Sequence, residues 1–188
     1  MSPAVRNHWT DHGIPPSVIE RMTAYEAQWG GWLLPPAPRY EGGPKVFRSD
    51  VPEADGAGNW WFDAGDPRVS TWYGFMIGPE SEFCIDDRAN RVILHSSIEG
   101  WVESVALAYQ VRYWAPQSVT VRGAAVDEID LSDMEEFVEV AGVSDGWWRK
   151  ADTVVAVYRG EAWLLGSPEE QIAIIYSGIT EPEIYLDY

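Results

Sequence analysis

Apolar residues first recur at helical spacing near the start of the chain. Val18, Met22, Tyr25 and Trp29 stand four, three and four residues apart, which puts them on one stripe of a helix. Ser17 and Glu20 match the S-x-x-E capping box, in which each side chain satisfies a backbone N–H at the helix start. Gly30-Gly31 supplies the stop, because glycine accepts the left-handed conformation that ends helices. The prolines at 35, 36 and 38 favour an extended connector. Residues 45–48 suit a short strand, and the acidic, glycine-containing stretch 50–58 suits a loop.

From there the period shortens. NWWFD (59–63) and TWYGFMI (71–77) are aromatic strands with a break at Gly65-Asp66-Pro67. EFCI (82–85) and RVIL (91–94) flank a five-residue polar loop and predict a hairpin. A second helix follows, with Ser96 and Glu99 as its capping box. Ile98, Trp101, Val102, Val105, Ala106 and Tyr109 form its apolar face, and it runs to about Tyr113. Residues 119–122 suit a strand. Ser132 and Glu135 form a third capping box, opening a short helix with Met134, Phe137 and Val138 that Gly142 ends. Strands over 152–158 and 161–165 flank Arg159-Gly160 as a hairpin. Ser167-Pro168 leaves room for one helical turn before a strand at 172–176. Residues 1–13 carry no such pattern and read as a flexible N-terminus. The sum is an α+β fold: a mainly antiparallel sheet with an N-terminal and a central helix packed on it. One domain spans 14–188, with a β-rich C-terminal extension over 116–188.

Composition fits a chain that buries a core: 46% of its 188 residues are apolar and eleven are tryptophan. Charge changes the picture more. Thirty acids against thirteen bases give a net charge of −17. That excludes nucleic acid as an expected partner, since phosphate contacts need basic patches, and it disfavours anionic membranes. A basic protein partner fits, because opposite charge steers association. The imbalance deepens along the chain: residues 1–115 hold nine bases and fifteen acids, residues 116–188 four and fifteen. The candidate partner-binding acids are Asp50, Glu53 and Asp55 on the first loop and Asp86 and Asp87 on the hairpin. The base-free run of Asp127, Glu128, Asp130, Asp133, Glu135, Glu136 and Glu139 completes the set. Taken singly, each is more simply an acid of an ordinary solvated loop.

No catalytic, metal or cofactor residues are expected. His8 and His12 share a four-residue spacing, but Gly13, Pro15 and Pro16 discourage a helix there. His95 sits where a strand leads into a helix, and Cys84 lies in a β run as an inert core thiol. A single cysteine permits no internal disulfide, which suits a cytoplasmic location. The segment MSPAVRNHWTDHG lacks the apolar region of a secretory signal. Nucleophile elbow, phosphate-binding loop, dinucleotide fingerprint and HExxH motifs are all missing. A carboxylate-dependent hydrolase or sugar-binding module would have to be built around Trp60, Trp61 and Asp63.

The order of elements resembles one family. A capped helix leads through Trp29-Gly30-Gly31 to Leu34-Pro35-Pro36. An aromatic strand region, the hairpin EFCIDDRANRVIL and a helix opening at HSSIEGWVES follow. Over residues 14–115 this resembles the SUKH superfamily, which includes bacterial immunity proteins and yeast cell-wall assembly regulators. The proline- and glycine-rich tract after Pro36 and residues 116–188 depart from that pattern. The resemblance implies a non-enzymatic role: an immunity-type inhibitor that binds a basic toxin domain and neutralises it. A regulatory scaffold with several partners, and no toxin involved, is the alternative.

Overall fold

In the computed structural model, which describes residues 2–137, 140 and 142–180, the chain opens with a helix. α1 (Pro3–Asp11) starts where the Ser2 hydroxyl accepts from Val5 N–H and Pro3 occupies the first turn. The flexible reading of residues 1–13 therefore missed a start signal. The glycine and prolines that argued against a helix lie beyond its end. α2 (Pro16–Trp29) buries the whole expected stripe, Val18, Met22, Tyr25 and Trp29, together with Ile19. Its cap is not the expected box. Pro16 takes the first helical position, so Ser17 is already inside the first turn, and Pro15 precedes the helix without a side-chain cap.

Among the described residues there are four helices and ten strands. The strands form two antiparallel sheets, in the orders β1-β2-β3-β4-β5 and β6-β10-β9-β8-β7. The fold is thus α+β with mainly antiparallel sheet. Contacts concentrate into two units, Met1–Arg91 and Val92–Tyr188.

In the first unit, β1 (Pro44–Ala54) pairs with β2 (Trp60–Pro67), then come β3 (Gly74–Ile77) and β4 (Phe83–Asp86). β1 is much longer than the expected strand and absorbs most of the expected loop. Register shifts between Phe47 and Asp50 and between Asp50 and Pro52 let it bend and carry a proline. β2 likewise runs through Gly65-Asp66-Pro67, the expected break. At Gly65 (φ +152°) a Cβ would lie 2.0 Å from the Val46 carbonyl oxygen, so only glycine lets the two strands approach this closely. α2 lies over this pair. The Tyr25 hydroxyl donates to Ala64 O (2.6 Å), Arg21 to Trp60 O (2.8 Å), and the Glu26 carboxylate accepts from Ser49 N–H (2.5 Å). Tyr40 and Glu41 both have positive φ, 58° and 50°, in a tight turn over Tyr40–Gly42. The Arg68 guanidinium holds that turn by donating to Gly42 O (2.9 Å).

The second unit contains most of β5 (Arg91–His95), then α3 (Ile98–Trp114) and β6 (Gln117–Arg122). Ser97, not Ser96, caps α3, accepting from Gly100 N–H at 3.2 Å. Its buried face is Ile98, Trp101, Ser104, Val105, Ala108 and Val111. Ala106 and Tyr109, expected to be buried, are exposed. The expected helix at 132–138 is not formed over its described residues. The Ser132 hydroxyl turns to Asp130, and β7 (Glu135–Glu136) pairs with Arg149 and Trp148 of β8 (Asp145–Lys150). Val138 lies outside the described residues. β8 and β9 (Thr153–Tyr158) turn at Ala151-Asp152. The expected strand at 161–165 is instead α4 (Gly160–Leu165), closed by left-handed Gly166. A five-residue apolar run does not distinguish the two by period. β10 (Ile172–Ser177) completes the sheet. Val126, Val155, Val157 and Ala173 form a core on one face of it, packed by Val121, Ile129, Leu131 and Met134.

Candidate functional site

Several expected docking acids are committed to local structure. Asp55 closes the β1–β2 turn: its carboxylate accepts from the N–H groups of Ala57 and Asn59 and from the side chains of Asn59 and Trp61. These bonds, those to Asn59 foremost, hold it down at about 2. Asp87 accepts from Asn90 N–H (2.6 Å) and Ala89 N–H (2.8 Å), which lowers its pKa and shapes the hairpin loop. Asp86 pairs with Arg91 (2.5 Å) and is only 11% exposed. The Arg91 guanidinium in turn lies 4.0 Å from the Trp61 ring. Asp86 and Asp87 therefore brace the hairpin.

In the second unit, Asp130 caps Ser132, and this lowers its pKa. Asp133 pairs with Lys150 and Glu135 with Arg149. Asp127 accepts from Gln171 (2.9 Å) and lies 3.6 Å from Arg159. Glu128 and Glu136 are exposed acids of this run, and Glu53 is the corresponding exposed acid of β1. Glu139 lies outside the described residues.

The pairing of β1 with β2 assembles a site that the sequence did not disclose. Asp50 stands directly across from Asp63. With Arg48, Gly65, Asp66, Pro67, Gly74 and Phe75 they line a small pocket of about 120 Å³. Arg48 bonds to Asp66 (2.9 Å) and Asp50 (3.2 Å). Its one positive charge is thus engaged by the two outer carboxylates. Asp63 is half-buried and lines the same pocket. Burial first, then the charges of Asp50, Glu53 and Asp66, push its carboxyl up to about 6 against the opposing pull of Arg48. Three carboxylates meet one guanidinium, so the pocket holds surplus negative charge at neutral pH. The sequence places Asp50 in a loop, whereas it lies on β1. Asp66 gave no signal, because only the bulged register brings it to Asp50.

The remaining candidates place themselves plainly. Trp61 is buried and Trp60 half-buried, and neither lines this pocket. His12 is bonded through Nδ1 to His8 O (2.8 Å). No group of three or more potential metal ligands occurs among the described residues. Cys84 is fully buried, and burial pushes its thiol up, away from reactivity. His95 is also buried, with Nε2 3.4 Å from the Ser104 hydroxyl, and burial lowers its pKa to about 4. It is a neutral core group at physiological pH.

Fold and site together define an acidic α+β protein of two antiparallel sheets with a carboxylate-rich pocket on the first. No family model, curated protein or solved structure matches the chain. Among the described residues no helix is long and apolar enough to cross a membrane.

Proposed function

We propose that this chain is a non-enzymatic, cytoplasmic binding protein of the immunity type, which docks on a basic toxin domain and neutralises it. The observation that carries the reading is the surplus of negative charge. Thirty acids face thirteen bases, and the pocket of Asp50, Asp63 and Asp66 has one guanidinium among its lining residues. A lysine or arginine of a cationic partner would supply the missing counter-charge there and relieve the repulsion on Asp63. Glu53, on the same strand as Asp50, would extend that contact. The resemblance of residues 14–115 to SUKH proteins adds the toxin to what charge alone supports, a basic protein.

The test uses the basic product of a gene adjacent to this one, as purified protein and in cells. Binding is measured by calorimetry at low and high salt, and growth rescue by co-expression. The expected result is rescue, with an affinity that falls at least about tenfold between 50 and 500 mM salt. Asp50→Asn/Asp63→Asn should weaken it further. Absence of binding, or binding indifferent to salt, would refute the reading. Binding of several partners without rescue would favour the scaffold role.

A further inference from the structure

We propose that β6 is a self-pairing edge: two copies of the chain join antiparallel along this strand, with Thr120 opposite Thr120 of the second copy. The two edges of the second sheet differ. β7 is two residues long and both are glutamate, the short, charged form that proteins use to prevent edge pairing. β6 has none of those protections. It is six residues long, and its register with β10 is unbroken from Gln117↔Ser177 to Arg122↔Ile172. Residues 117–120 are exposed on both faces, and the strand's single charge, Arg122, stands at its end.

The hydrogen-bond ladder says which groups are on offer. Gly123 N–H, just past the strand, donates to Gln171 O (3.0 Å). Partners alternate along an antiparallel pair. Residues 121, 119 and 117 therefore turn their backbone groups toward β10, and Ser118, Thr120 and Arg122 turn theirs to the side on which no described strand pairs. A two-fold axis at Thr120 uses all three outward residues, setting Thr120 against Thr120 and Ser118 against Arg122. An axis at Val119 uses only two and sets Pro116, which has no N–H, against Arg122. The Thr120 register also places Val119 against Val121 of the second copy, twice by symmetry. Val119 is 60% exposed, whereas Val121 already packs on the core. Pairing extends that apolar row across the axis, and no like charges oppose one another.

Charge selects a second copy as the occupant. No aspartate or glutamate occurs between Glu103 and Asp127, the longest acid-free stretch of a chain whose net charge is −17. It covers the C-terminal part of α3 and all of β6, and contains Arg112 and Arg122. Exposed Tyr113 (88%) lies at the same end of α3. A second copy is repelled by the acids elsewhere but meets none along this strand, while a strongly basic partner finds no carboxylate on it. A single strand pair falls short of a standard interface, so the dimer should be weak, with dissociation at about 10 μM to 1 mM.

The experiment is sedimentation of the full chain from about 5 μM to 1 mM at 50 and 500 mM NaCl, with variants. The expected result is a dimer that grows with concentration and with salt, because salt screens repulsion between two anionic copies. Toxin binding should weaken with salt, so the two proposals fail independently. Thr120→Pro removes an outward N–H and leaves the β10 ladder intact. Val119→Asp, at an exposed position, sets carboxylates at the seam. Both should be monomeric with unchanged circular dichroism. Under oxidation Thr120→Cys should cross-link, since opposed hydrogen-bonded Cα atoms lie about 5.5 Å apart, whereas Ser118→Cys should not. A monomer at every concentration and salt overturns the proposal. So does dimerisation of Val119→Asp equal to the parent, or equal cross-linking of the two cysteine variants.

Discussion

Replacing Asp63 by asparagine should stabilise the protein at neutral pH. Burial and the neighbouring acids hold this carboxyl at about 6, against an ordinary 3.8. A carboxyl whose folded pKa lies above its unfolded value opposes folding once both states are ionised. Its penalty is absent below about pH 4, grows as pH rises to about 6, and is constant above. At about 1.4 kcal/mol per unit, the full displacement corresponds to roughly 3 kcal/mol. Asp63 is only half-buried, so solvent screening reduces this to about 1–2 kcal/mol. Asp63→Asn removes the charge while keeping the shape. The assay is native-state hydrogen exchange of the β2 amides from pH 4 to 8, which reports on the strand that carries Asp63. The stability difference between variant and parent should climb by about 1–2 kcal/mol between pH 4 and 6.5 and then level off. A difference that stays flat with pH would refute the reasoning, as would a carboxyl resonance of Asp63 that titrates near 4.

His95 should give the opposite slope in the second unit. Its folded pKa of about 4 lies below the ordinary 6.5, so the unfolded chain takes up the proton first. Stability is whole above pH 6.5 and falls by up to about 3 kcal/mol as pH approaches 4. Hydrogen exchange of the α3 amides should show that slope, and His95→Gln should abolish it. Glu41→Gly should raise the melting temperature by about 1–3 °C, because exposed Glu41 occupies a left-handed conformation that glycine adopts without strain.

What the sequence disclosed follows from how local each signal is. The α2 stripe and the 83–95 hairpin were legible because period and turn chemistry lie within one short window. Residues 132–137 misled because a capping box is only permissive: Ser132 had a nearer partner in Asp130, and Glu135-Glu136 gained a strand to pair with. The acids misled for a related reason. Asp55, Asp87 and Asp130 stand at turns, where a carboxylate finds backbone N–H groups to accept from. Meanwhile Asp50, Asp63 and Asp66 become neighbours only through the bulged register of β1 on β2, which no local pattern encodes.

The close approach at Gly65 bears on how such a pocket can change over time. The approach of Gly65 to Val46 is main chain on main chain, while Asp50, Asp63 and Asp66 supply the charge of the pocket that Gly65 helps to line. Shape and polarity are therefore inherited separately. Aspartates around the rim can be exchanged for neutral or basic residues while the hollow keeps its form. Single substitutions of these acids would then rewrite the electrical preference of this spot, with the backbone approach left alone.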